Sequence, residues 1–311
     1  MTKKILKVFG YIFSGLIFLT GVFVFCYPFI NEYTVDKNTE TALENFHYLQ
    51  KKAMSEDNSP ESQLDTDKQS SIYNFNSLYK DMQKYNKDIF KTKQSGLKDA
   101  WSYEQAGFDL SKYGVCDAAV AEIRIPKMNV DLPVYLGATW NNMARGATQL
   151  GQTSMPIGGI NTNCVIAGHR GSSGGKFFLD IENLDIGDKV YIDNLWETLN
   201  YTVCKIDAIS PDDIDKILIQ KGRDMVTLIT CHPYPHNYQR YVVYCERIQA
   251  NASNPNDTQE KADISSDKSL KNEIKSSSQM FIVFENILYI IIPAILIILT
   301  VFLLRKRKDK K

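Results

Sequence analysis

Residues Val8 to Ile30 run for 23 positions without a charged side chain. At about 1.5 Å per residue, a helix of that length crosses a hydrocarbon core of roughly 30 Å. Asn286 to Leu304 is a second such run, of 19 residues, extended upstream by Phe281 to Phe284 with Glu285 interrupting. Both lengths favour membrane spans over buried core helices. No small-x-small cleavage site follows the first run, and Tyr27, Pro28 and Phe29 suit one poorly, so it reads as a retained anchor. Lys3, Lys4 and Lys7 precede the first run, and six basic residues crowd Arg305 to Lys311. Basic residues stay on the cytoplasmic side, so both tails are expected inside and residues 31–280 outside.

Those tails also disguise the charge of what lies between them. The 311-residue chain has 36 basic and 36 acidic residues. Nine of the basic residues and one of the acidic ones sit in the tails, which leaves a net charge of −8 on the rest. An acidic middle without a basic stripe excludes a nucleic-acid binder, because neutralising phosphates needs clustered Lys and Arg. Cys26 lies in the first span. Cys116, Cys164, Cys204, Cys231 and Cys245 are an odd set without tight spacing, so at least one free thiol is expected outside, and no disulfide framework.

Helical spacing marks Thr39 to Met54, through Leu43, Phe46 and Leu49, and less regularly Ser71 to Phe90. The polar stretch Ser55 to Gln69 separates them. Lys91 to Ala118 carries Trp101, Tyr103, Phe108 and Tyr113 among Gly, Ser and Asp, and reads as an ordered loop. From Val120 onward, short runs alternate with turn residues. They predict strands at Ala121–Ile125, Val130–Tyr135, Cys164–Ala167, Lys189–Ile192, Leu199–Ile209, Met225–Thr230 and Tyr241–Ile248. A short helix is expected at Asp212 to Ile219. Many strands without long intervening helices predict a mainly β fold, a closed or nearly closed barrel of seven to eight strands. The expected order is therefore a cytoplasmic tail (1–7), an anchor (8–30), a helical extension with a loop (31–118), the barrel (119–250), a polar tether (251–280), a second span (281–304) and a basic tail (305–311).

Three reactive side chains fall at predicted strand ends. His169 follows Val165-Ile166-Ala167-Gly168, Cys231 closes Val226-Thr227-Leu228-Ile229-Thr230, and Arg240 opens the next strand. A Cys attacks a carbonyl, a His handles protons, and an Arg steadies a developing oxyanion. Taken singly, each residue is more often an ordinary buried Cys, loop His or surface Arg. A competing set, Cys231, His232 and His236, resembles metal ligands, but a structural zinc site wants four and no C-x2-C supplies the rest. No metal or cofactor is expected, and His47 is expected to be solvated.

Leu-Ile-Thr-Cys231, with Arg240 nine residues on and Gly168-His169-Arg170-Gly171 centred 62 residues before the cysteine, resembles the sortase family. Ile123-Arg124-Ile125-Pro126-Lys127 and Leu132-Pro133-Val134-Tyr135-x-Gly137-Ala138-Thr139 resemble that family's first strands. The likeness covers roughly residues 119–250. The helical extension, the aromatic loop and the second span resemble class C sortases, the pilus-assembling transpeptidases of Gram-positive bacteria. In that class a lid with an Asp-Pro-aromatic motif covers the site, and Asp99-Ala100-Trp101 stands in its place. Ala100 replaces the usual Pro, which implies a less rigid lid. His232 stands where Thr is common, and Asn163 where His is common, departures expected to touch substrate contacts.

The resemblance implies a cell-membrane cysteine transpeptidase acting on LPxTG-like sorting signals of pilins or surface proteins. Its acceptor amine would come from a pilin lysine or a peptidoglycan precursor. Cys231 would be the nucleophile, His169 the proton carrier and Arg240 the oxyanion partner, with Thr230 and Asn237 as further pocket candidates. His232 is an alternative proton carrier, although neighbouring residues on a strand point to opposite sides. The lid would bring Asp99 to Arg240 and Trp101 over Cys231. A partly exposed ion pair contributes about 0–1 kcal/mol and a covered aromatic ring roughly 1.5–3 kcal/mol, so the ring is expected to hold the lid more firmly.

Overall fold

The computed structural model describes residues 2–57, 73–104, 108–115, 117–171 and 177–248. Eight strands form a closed barrel: β1 (Ala121–Ile125), β2 (Val130–Leu136), β3 (Ala147–Gln149), β4 (Thr162–Ala167), β5 (Lys189–Asn194), β6 (Thr198–Ile209), β7 (Asp224–His232) and β8 (Gln239–Arg247). Their order around the barrel is β1-β2-β3-β4-β7-β8-β6-β5. The pairs β2–β3 and β4–β7 are parallel, and the others antiparallel. Seven strands match the runs read from the sequence. The eighth, β3, has three residues, too few to show an alternation.

Inward-facing residues such as Ile123, Val134, Ile166, Ile192, Val226, Leu228 and Val243 fill the barrel. Beyond its first residue, β7 is buried at every position, because it is covered on both faces. Its inward side meets the barrel core, while Met225 and Ile229 on the outward side meet Leu97, Ala100, Val165 and Val242. Double cover explains why this strand reads as a near-continuous apolar run.

Two long helices precede the barrel, α1 (Thr2–Asp57) and α2 (Phe75–Lys91). The expected anchor and the first part of the helical extension are thus one uninterrupted helix. Its apolar part is long enough to cross a membrane, and large side chains such as Phe13, Phe18, Phe23 and Phe29 are exposed along it. Its far end turns amphipathic: Phe46, Leu49 and Ala53 pack with Leu78 and Met82 of α2 against Tyr135 and Leu195. Asn74 caps α2 by accepting from the Ser77 amide at 3.1 Å, as expected of Asn at that position. His47 is not merely solvated. Its Nε2 lies 2.8 Å from a carboxylate oxygen of the buried Glu122, tying α1 to β1. A further short helix, α3 (Trp140–Arg145), joins β2 to β3, and the helix expected at Asp212 to Ile219 is a single 3-10 turn at Ile214–Ile217. The tether at 251–280, the second span at 281–304 and the tail at 305–311 lie outside the described residues.

Gly146, at the end of α3, lets β3 lie beside β2. A Cβ there would come within 2.7 Å of the Pro133 carbonyl oxygen and 2.9 Å of its ring. Gly146→Ala is expected to cost about 1–3 kcal/mol through forced backbone shifts. Urea unfolding of detergent-solubilised protein should show a lower midpoint at unchanged slope.

Candidate active site

The antiparallel register of β7 and β8 sets Cys231 directly opposite Arg240. Both side chains point outward, since Thr230, one step away, faces inward opposite the barrel-filling Tyr241. Cys231 is 7% exposed. Burial pushes its thiol up to about 12, helped by Asp99 and opposed by the charges of Arg240 and Arg170. In this closed arrangement the sulfur is a thiol, not a thiolate.

His169 reaches the same end of the barrel because β4 runs parallel to β7, with Ala167 paired to Ile229. The pairing continues one residue further. The Gly168 amide donates to the Ile229 carbonyl at 3.2 Å, and the Thr230 hydroxyl donates to the Gly168 carbonyl at 2.7 Å. The His169 carbonyl then accepts from the Phe178 amide at 2.9 Å. Gly168 is required by close approach, since a Cβ would meet the Phe178 ring at 2.9 Å. Partial burial lowers the His169 pKa, favouring a neutral imidazole.

Over these residues lies the 3-10 turn Ala100–Ser102. Asp99 caps the turn by accepting from the Trp101 amide at 3.1 Å, and its two carboxylate oxygens accept from Arg240 Nε at 2.7 Å and Nη2 at 2.8 Å. The Asn237 and Gln239 carbonyls take Arg240 Nη1 at 3.0 and 2.9 Å. A guanidinium has five N–H donors, and four are engaged here. The Trp101 ring lies 4.6 Å from the guanidinium carbon and 6.3 Å from the His169 ring. The ion pair is less exposed than expected, at 8% for the Arg240 side chain and 18% for Asp99, whereas Trp101 is only half-buried. The pair is thus more deeply covered than the ring. Ala100 is fully buried beside Leu97 in an apolar cluster, so packing fixes the turn where a proline is absent.

Two further expectations change. Thr230 is fully buried and its hydroxyl is spent on Gly168, so it shapes the backbone instead of lining a pocket. Asn163 is equally buried, its amide donating to the Ile217 carbonyl and its oxygen accepting from Thr227, out of reach of a substrate. Asn237 is exposed and holds Arg240 through its backbone carbonyl. Cys231 and His232 point to opposite faces of β7, so they do not form one ligand set. Among the described residues no group of three or more His, Cys, Asp and Glu is placed to hold a metal, and none of the cysteines there is paired. Sequence reasoning missed Glu182, a charge buried between the core residues Ile181 and Leu184, and Tyr234, whose ring packs on Gly171. An acidic residue inside an apolar segment was the available signal for the first.

A sequence profile described as the sortase domain matches residues 123–248. Sortase A of Bacillus anthracis is 33% identical over 124 residues, covering 40% of this chain and 57% of that protein. The chain thus spans little more than half the length of the curated relatives it matches. Among solved structures, Streptococcus agalactiae sortase C1 in complex with MTSET is 33% identical, with a TM-score of 0.52, over 56% of this chain and 90% of that one. Sortase C1 of GBS Pilus Island 1 is 28% identical, with a TM-score of 0.55, over 70% of this chain and 95% of that one. The chain belongs to the sortase family, and its structural neighbours are class C pilus sortases.

The closed site predicts slow alkylation. Trp101→Ala admits water to Cys231, and Asp99→Ala removes a negative charge and frees Arg240, so each lowers the thiol pKa. Every unit of fall gives about tenfold more thiolate at pH 7. Iodoacetamide should label Cys231 at least about tenfold faster in both variants than in the wild type, with the rate–pH profile moved to lower pH. Equal rates in all three would remove the lid.

Proposed function

We propose that this protein is a membrane-held cysteine transpeptidase that cleaves an LPxTG-like sorting signal and passes the acyl group to a pilin lysine. The observation that carries the reading is the cross-strand pair of Cys231 and Arg240 beside His169, with the guanidinium occupied by Asp99. Asp99 stands where a carbonyl turning into an oxyanion would need the arginine. The likeness to pilus-related class C sortases supports the same reading.

Lid opening frees Arg240 and hydrates Cys231, whose pKa then falls, and the thiol proton passes to the neutral imidazole of His169. The thiolate attacks the Thr–Gly carbonyl carbon, and the Arg240 fork donates to the oxygen as charge develops. His169 gives a proton to the departing glycine nitrogen, the C–N bond breaks, and a thioester remains on Cys231. The acceptor amine attacks the thioester carbonyl and yields its proton to His169, and the new amide forms as the cysteine leaves. Thiol and imidazole titrate as a pair once adjacent.

The apolar part of α1 supports anchoring in a membrane. With the 281–304 run as a second span, both tails are cytoplasmic, the barrel at 119–250 faces outward, and 251–280 tethers it. Enzyme and membrane-tethered substrates then share one plane, which raises their effective concentration. A second reading has a peptidoglycan-precursor amine as the acceptor; it is favoured by the likeness of the barrel to proteins named sortase A.

Cys231→Ala should abolish turnover, while each other cysteine is replaceable. His169→Ala should lose about 10²–10⁴-fold, and Arg240→Lys about 10²–10³-fold for want of the planar fork. His232→Ala should be milder than either. Mass spectrometry of products made with a candidate pilin measures all four and reads the acceptor directly. Turnover by Cys231→Ala would end this mechanism.

A further inference from the structure

Behind the site lies a buried ionic cluster that the proposed mechanism does not use. Arg170 follows His169 and His232 follows Cys231, and in each case the side chain turns inward. The Arg170 and His232 side chains are 1% and 3% exposed. They meet on Glu182, itself 4% exposed, in the 3-10 turn Ile181–Asn183. Arg170 Nη2 lies 2.8 Å from Glu182 Oε1, His232 Nδ1 3.3 Å from the same oxygen, and Arg170 Nη1 3.1 Å from His232 Nδ1. Nδ1 accepts from Arg170 in the tautomer that leaves it unprotonated, and Glu182 Oε1 is met by charge alone, with no contact of good hydrogen-bond geometry. Burial pushes the Glu182 carboxyl up, but the neighbouring His232 and the Arg170 charge outweigh it and hold the pKa below its ordinary value. The carboxylate is ionised in the folded protein.

We propose that Arg170, Glu182 and His232 are positioning residues that set the aim of His169 at Cys231. Three chain segments meet in the cluster: the end of β4, the end of β7, and the turn at Ile181–Asn183. Around it the two ends are already joined, by the Gly168 amide donating to the Ile229 carbonyl and by the Thr230 hydroxyl donating to the Gly168 carbonyl. Those bonds hold Gly168, one residue short of His169. The cluster fixes the residue on its far side, so the imidazole is held from both flanks. On the other strand, His232 does the same for Cys231. Removing the carboxylate leaves two buried basic side chains without their common partner, and the two segments then shift relative to each other. An error of about 1 Å in such an alignment costs on the order of 10²-fold in rate.

The inference rests on the active-site reading above, and the test separates the two. Steady-state cleavage of a sorting-signal peptide is measured for wild type, Glu182→Gln and Glu182→Asp in the full-length protein, with thermal unfolding and Cys231 alkylation alongside. Glu182→Gln should lower kcat by about tenfold or more, with KM and the alkylation rate within about twofold of wild type. Glu182→Asp keeps the charge and should recover most of that loss. Should Glu182→Gln not accumulate folded, His232→Asn carries the test. It leaves the Arg170–Glu182 pair intact and should lower kcat about threefold to tenfold at unchanged KM. An unchanged kcat in either folded variant, a change confined to KM, or an aspartate variant no better than the glutamine one would overturn the positioning role. A wild type unable to cleave the peptide would instead overturn the transpeptidase reading.

Discussion

Everything at this site depends on the parallel pairing of β4 with β7. Two parallel strands end at the same edge of the barrel, so residues leaving them are neighbours although 62 positions separate His169 from Cys231. The antiparallel return of β8 then adds Arg240 at that edge at no cost in loop length. Parallel pairs need long crossovers, and here the crossover from β4 to β7 carries β5, β6 and the turn that bears Glu182. The connection that the topology demands thus also delivers the carboxylate behind the site.

On the proposed mechanism, the same edge is kept shut by groups that later act. Arg240 is held by Asp99 and by two carbonyls, and Cys231 is held as a thiol by its burial. A pair this deep is not a large net stabiliser, because desolvation offsets its attraction. On the proposed lid reading, its consequence is specificity of state: neither partner is comfortable alone, so the lid would be closed with both paired or open with both hydrated. If closure is worth about 3 kcal/mol, the open form is near one per cent, and apparent substrate affinity falls by that fraction. On the function proposed above, a sorting signal that supplies its own carbonyl to Arg240 would compensate for the lost carboxylate and make opening a response to substrate.

Much of this was legible in the sequence. Seven strands announced themselves by alternation and punctuation, and Cys231 by closing a buried run. What stayed hidden has physical reasons. Three residues of β3 are too short for a period. His47 shows helical spacing but no sign of Glu122, which lies 75 positions away. The weight of the Asp99–Arg240 pair depended on burial, which spacing across 141 residues does not reveal. Thr230 stands beside Cys231 and so reads as a pocket candidate, and Asn163 departs from the family's common His and so reads as touching substrate contacts. Strand alternation put Thr230 inward, and hydrogen bonds to the backbone of Gly168 and Ile217 absorb both side chains.

On the proposed mechanism, Cys231 carries the acyl group. Intact-protein mass spectrometry of the Trp101→Ala protein, quenched in acid during turnover of a sorting-signal peptide, reads that intermediate itself. The expected adduct is the peptide acyl group up to its threonine, mapped to Cys231 and released by hydroxylamine as a thioester must be. Cleavage that proceeds with no such adduct, or an adduct on any other residue, would contradict it.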